Sequence, residues 1–171
     1  QEKAVNLDLT LRIRDFLTEN GVRVALTRDS DVLLYDRNTD YRGRKKALDL
    51  RARREIAEQI PGGVFVSIHM NAFSDRSVSG PMVYYMAGSG EGEQLAQCVM
   101  NALTDALGRS RRAANPGDYF VIRECSAPAV IVECGFLSNP DDERRLQEAA
   151  YQQTLACAVA DGVFAYAEGT Q

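Results

Sequence analysis

Two stretches limit what this chain can fold into. Val64-Phe65-Val66-Ser67-Ile68-His69-Met70-Asn71 opens as an apolar, β-branched run and closes on polar, ligand-capable groups. Ala129-Val130-Ile131-Val132-Glu133-Cys134-Gly135 repeats the form, with one ionisable residue at the end of an apolar run. Short runs of this kind, bounded by turn residues, read as buried strands. If the two lie parallel in one sheet, their carboxyl ends share an edge, and open α/β sheets bind ligands there. His69, the only histidine in the chain, and Glu133 can then meet despite their separation in sequence.

The remaining pattern fits such a sheet. Val5, Leu9, Ile13, Phe16 and Leu17 recur at helical spacing, and Gly21 stands where a helix stops. Residues 22–27 predict a short strand, and residues 28–43 a long polar loop. Asp29, Asp31, Asp36 and Asp40 in that loop lack the spacing of an EF-hand and read as solvated. A basic helix of mixed charge is expected over 44–59, then the His69 strand, and a strand over 81–87. The glycines at 88, 90 and 92 lack the lysine and spacing of a phosphate cradle and read as a turn. A helix follows over 91–107. Residues 109–117 read as a loop and 118–123 as a strand joined to the Glu133 strand by an antiparallel hairpin. Two helices close the chain, over 141–149 and 151–167. The aromatics Tyr84, Tyr85, Tyr119 and Phe120 all fall in expected strands and are read as core.

This order predicts a single-domain α/β fold, with a mainly parallel mixed sheet flanked by helices. One feature is irregular. The first strand follows the first helix, whereas a parallel α/β sheet normally begins with a strand feeding that helix. The first strand is therefore expected upstream of Gln1.

Composition excludes several classes. A chain of 171 residues that is 45% hydrophobic can bury a substantial single core. The formal net charge of -4 argues against a nucleic-acid partner. No apolar run is long enough to span a bilayer, and Gln1-Glu2-Lys3 leads into a helix rather than a signal peptide. Cys98, Cys125, Cys134 and Cys157 form no C-x-x-C pair and read as reduced core residues.

Glu2 opens the first helix, and helix starts in an α/β fold lie on the same edge as strand carboxyl ends. Glu2, His69 and Glu133 can therefore converge. An imidazole and two carboxylates suit a hydrolytic zinc site, in which the metal acidifies water and polarises a carbonyl while a carboxylate moves the proton. Each residue also has a plainer reading. His69 can be a hydrogen-bonded structural group, Glu2 a complement to the helix dipole, and Glu133 half of a salt bridge to an arginine. A carboxylate closing so apolar a strand would be costly without a partner.

The chain resembles the zinc-dependent N-acetylmuramoyl-L-alanine amidases of bacterial cell walls, including the type acting on spore cortex. The matching stretches are Glu2-Lys3-Ala4-Val5-Asn6-Leu7, Leu26-Thr27-Arg28, Leu50-Arg51-Ala52-Arg53, Val66-Ser67-Ile68-His69-Met70-Asn71, and Pro128 through Glu133-Cys134-Gly135-Phe136-Leu137-Ser138-Asn139. They are collinear and cover nearly the whole chain. The resemblance implies that Glu2 and His69 are zinc ligands, that Glu133 is the catalytic carboxylate, and that Asn71 touches substrate. It implies cleavage of the amide between the muramic lactyl group and L-alanine in peptidoglycan, outside the cytoplasm, in cell wall, periplasm or spore cortex, with a role in sporulation or germination. The family's first ligand is a histidine in a glycine-rich segment upstream of the position of Glu2. Residues 1–171 are thus expected to be an amidase catalytic domain that lacks this motif and, as it stands, holds an incomplete ligand set. The competing readings are a non-catalytic peptidoglycan-binding or regulatory domain on the same fold, and a different zinc peptidase or deacetylase.

Overall fold

The computed structural model describes residues 2–30 and 45–169, with side chains in the second helix described from residue 48 onward. The elements run α1 (Glu2–Glu19), α2 (Lys45–Glu58), β1 (Phe65–Asn71), β2 (Met82–Met86), α3 (Gly90–Ala106), β3 (Asn115–Gly117), α4 (Phe120–Arg123), β4 (Ala129–Phe136), α5 (Pro140–Arg145) and α6 (Ala149–Gly169). Most of loop 28–43, with Asp31, Asp36 and Asp40, lies outside the described residues. No helix among the described residues is long and apolar enough to cross a membrane.

The sheet order is β1-β4-β2-β3, with β1 parallel to β4, β2 antiparallel to β4 and β3 parallel to β2. Alternation along the strands divides the sheet into two faces. Ile68, Met70, Val83, Val130, Val132 and Cys134 point into the main core, against α1, α3 and α6. Phe65, Tyr84, Ala129 and Ile131 point the other way, into a smaller cluster with Leu50, Val121 and Ile122. Residues 67, 69 and 133 belong by parity to this second face, which is the thinly covered one.

α6 lies close on α3 because Gly162 has no side chain. A Cβ there would stand 2.9 Å from Val99 N and 3.0 Å from Val99 Cγ2. Alanine is the better helix former by about 1 kcal/mol. At this position the clash is with backbone of the neighbouring helix, and overpacking of that kind costs about 1–3 kcal/mol. Gly162→Ala is therefore expected to lower the melting midpoint; an unchanged or higher midpoint would show that the helices separate freely.

Three sequence expectations are corrected. Residues 22–27 form no strand: Val22 and Val24 pack against the main core, but no strand among the described residues pairs with the segment. Residues 118–123 are not a strand in a hairpin with β4. Residues 120–123 form the helix α4, and its Val121 and Ile122 cover the second face; helical spacing buries both, where a strand would bury alternate residues. The loop expected over 109–117 contains β3, too short to leave a periodic signal. The glycines at 88–92 do form a turn and a helix start: Gly88 has φ +87°, and Ser89 Oγ accepts the Gly92 N–H at 3.1 Å.

Candidate active site

The parallel pairing of β1 with β4 places His69 directly opposite Glu133. Both side chains stand near the carboxyl ends of their strands, on the thinly covered face. α1 packs along β1 from the main-core side, and its first turn brings Glu2 to the same edge. His69 Nδ1 lies 3.7 Å from Glu2 Oε1, and both side chains are nearly half exposed. The other ring nitrogen is engaged: His69 Nε2 and the buried Ser67 hydroxyl share a 2.9 Å hydrogen bond. Ser67 therefore fixes the ring so that Nδ1 faces Glu2. Glu2 is oriented in turn by Asn6, whose Nδ2 donates to Oε1 at 3.3 Å.

Glu133 is placed differently. Its Oε2 is buried and has no hydrogen-bond partner, and no arginine pairs with it among the described residues. Burial, and then the charge of Glu2, push its pKa up to about 7. That is the condition of a carboxylate that can both take and give a proton near neutrality. Burial raises neighbouring Cys134 in the same direction, to about 12, so its thiol stays protonated. Tyr84 shares the face with Glu133, its hydroxyl 3.4 Å from Met82 Sδ, and Tyr119 meets it edge-on at 5.3 Å between ring centroids. Of the four aromatics read as core, Tyr85 is buried, Tyr84 and Phe120 are half-buried, and Tyr119 is exposed. Tyr119 is corrected because its ring lies over Gly117, which leaves room for it on the surface.

Asn71 ends β1 at the same edge. Its Oδ1 accepts the Ala72 N–H at 2.8 Å, and its backbone oxygen accepts the Leu137 N–H at 2.8 Å. Its side-chain oxygen thus shapes the turn. Among the described residues, no three His, Cys, Asp or Glu side chains cluster as a metal site. Glu2 and His69 nevertheless offer the oxygen and nitrogen donors that zinc prefers, with a second partner holding the imidazole, as zinc-bound histidines usually have.

β1 stands at the end of the sheet, and no described strand pairs with its outer side. A cavity of about 310 Å³ runs along that side, with residues 25–28 and α2 on the far wall. Asn6 lines it, and its buried Oδ1 has no hydrogen-bond partner.

Sequence reading missed Ser67 and Asp142. Alternation alone puts Ser67 on the face of His69, so that signal was present. Asp142, a carboxylate only 2% exposed, looks in sequence like any acid in a first helical turn.

Residues 1–165 match the family model described as N-acetylmuramoyl-L-alanine amidase. The chain is 32% identical to the germination-specific N-acetylmuramoyl-L-alanine amidase of Bacillus subtilis (strain 168), over 96% of this chain and 70% of that protein. It is 30% identical to the N-acetylmuramoyl-L-alanine amidase LytC of the same organism, over 96% of this chain but only 31% of LytC. Among solved structures it resembles the CwlD amidase from Clostridioides difficile, determined in complex with the GerS lipoprotein, with a TM-score of 0.92 and 31% identity over 98% of this chain and 87% of that one. The catalytic domain of CwlV from Bacillus (Paenibacillus) polymyxa var. colistinus gives 0.83, also at 31% identity, over 98% and 86%. These matches span α1, β1 and β4, the elements that carry Glu2, His69 and Glu133, and the chain belongs to the N-acetylmuramoyl-L-alanine amidase family.

Proposed function

We propose that this domain, residues 1–171, hydrolyses the amide between the lactyl group of N-acetylmuramic acid and L-alanine of the peptidoglycan stem peptide. The observation that carries the reading is the meeting of Glu2, His69 and Glu133 at one sheet edge, with an unpartnered carboxylate oxygen on Glu133. Glu2 and His69 would hold zinc. When bound, the metal supplies a Lewis acid that polarises the amide carbonyl and makes water more acidic. Glu133 takes a proton as water adds to the carbonyl carbon. It then delivers that proton to the amide nitrogen as the C–N bond breaks, leaving a lactyl carboxylate and a free L-alanine amine. Ser67 holds His69 in place, and the Asn71 amide group faces substrate. The site of action is extracytoplasmic, where peptidoglycan lies.

A third zinc ligand would be the histidine that the family carries upstream of the position of Glu2, and the free side of β1 has room for a strand to bring it there. The cavity there supports this reading: it follows the strand's length, and Asn6, whose buried Oδ1 has no hydrogen-bond partner, is among the residues that line it. A protein extended at its amino end by a strand closing on Gly-His is expected to hold one zinc through dialysis, melt higher than the 171-residue chain, and release L-alanine-terminated peptides from purified peptidoglycan. A chelator should stop the release. Equal melting and equal zinc content in the two proteins would remove the strand from the proposal. Products cut inside the stem peptide, or loss of acetyl groups alone, would favour a different zinc hydrolase.

A further inference from the structure

The pairing of β1 with β4 slips just beyond the site. His69 lies opposite Glu133, yet Asn71 lies opposite Phe136, so β4 carries one more residue than β1 over this interval. Such a bulge leaves backbone unpaired and turns the strand locally, and bulges beside active sites re-aim side chains. The unpaired group has a specific partner. The Phe136 N–H donates to Asp142 Oδ2 at 3.0 Å. The same oxygen accepts the Gly80 N–H at 2.7 Å. Gly80 leads into β2, where Met82 is the cross-strand partner of Glu133. One carboxylate oxygen therefore fixes both the strand that carries Glu133 and the strand that lies beside it.

Helix capping does not account for Asp142. Asn139 already caps α5, its Oδ1 accepting the N–H groups of Asp141 and Asp142. The Asp142 side chain turns inward instead and is 2% exposed. Burying a carboxylate is costly unless hydrogen bonds and a counter-charge offset it. Two amides and Arg109, whose Nη2 stands 3.9 Å from Oδ1, supply that offset. Two glycines make room for the arrangement. Gly80, at φ +86°, leaves space for the Arg109 guanidinium, and a Cβ on Gly135 would stand 3.2 Å from Asp142 Oδ2.

We propose that Asp142 is a positioning residue: it pins the β4 bulge and the start of β2 so that Glu133 is held facing His69 and Glu2. The proposal deepens the amidase reading and rests on it for its kinetic consequence. A displacement of about 1 Å at the reacting group can cost about a hundredfold in rate.

The test uses the full-length zinc-loaded protein and two variants. In Asp142→Asn the single carbonyl oxygen either keeps both amides and sets the side-chain NH2 against the Arg109 guanidinium, or faces Arg109 and sets the NH2 against the two backbone N–H groups, so that repulsion weakens the pin in either orientation. Arg109→Lys keeps both amide bonds and a cation but changes the ion pair. At a temperature where both are folded, Asp142→Asn is expected to lower kcat about ten- to a hundredfold, with KM within about threefold of the parent and zinc content unchanged. Arg109→Lys is expected to lower the melting midpoint and leave kcat within about twofold of the parent. In Asp142→Asn the amide hydrogens of Phe136 and Gly80 should exchange faster, and a crystal structure should show Glu133 displaced. A folded Asp142→Asn with parental kcat would overturn the proposal, as would loss of kcat in both variants in proportion to lost stability. If the parent releases no L-alanine-terminated peptide, the amidase reading fails by itself. The position of Glu133 in the variant then decides the Asp142 proposal alone, and an unmoved Glu133 overturns it.

Discussion

Glu133→Gln is expected to lower turnover on peptidoglycan by about two to four orders of magnitude, while zinc content, substrate binding and the melting midpoint stay close to those of the parent protein. Glutamine preserves the shape of the side chain and can still hydrogen-bond. It cannot accept a proton from water or deliver one to the departing amine. The structural rival, in which Glu133 serves as half of a salt bridge, has no arginine to support it among the described residues. Nor is Glu133 a well-satisfied buried group whose loss would open a hole, since Oε2 lacks a hydrogen-bond partner. Burial already disfavours its charged form. Glutamine carries no charge to desolvate, so the variant should be no less stable than the parent. Release of L-alanine-terminated peptide, zinc analysis and thermal unfolding together decide the matter. A fully active variant, or one inactive only because it has unfolded, would sink the assignment.

The parts of this fold that could be read from sequence are those with a strong local period. β4 shows as an apolar run because it is covered on both faces over most of its length, β1 shows through its apolar, β-branched opening, α1 shows through its spacing and glycine stop, and α3 and α6 show through their spacing. From two such strands, the meeting of His69 with Glu133 followed by geometry alone, since parallel strands share an edge. Residues 22–27 have the composition of a strand, but a strand exists only where a neighbour pairs with it. Residues 118–123 have that composition as well. Their apolar side chains form instead the short helix α4 over the second face, a choice made by tertiary contact and not by propensity. The register slip after Glu133 was not legible. Gly135 hinted at it, but the bulge depends on Asp142, which reaches the strand from a helix that follows it. Ser67 was legible by alternation once His69 was read as a ligand, because the two must share a face.

His69→Ala is expected to abolish zinc retention and activity together, a failure unlike that of Glu133→Gln. The imidazole is the only histidine donor in the chain, and its Nδ1 faces Glu2 at 3.7 Å. In the extended protein, removing it leaves Glu2 and the histidine of the added strand, two of the three protein ligands such a site ordinarily has, and that pair should not keep zinc through dialysis. The fold should survive, since the His69 side chain is nearly half exposed and packs in neither apolar cluster. Ser67→Ala supplies a graded control. It removes the hydroxyl that orients the ring at 2.9 Å and leaves the ligand itself, and loss of such a partner typically weakens metal affinity by about 10–100-fold. Competition against a chelator of known affinity, run on the parent protein extended as above, should give the order parent, then Ser67→Ala, then His69→Ala, with the last holding no zinc after dialysis. Stoichiometric zinc in folded His69→Ala would show that the metal is held elsewhere, and the edge where β1 and β4 end would lose its claim as the active site.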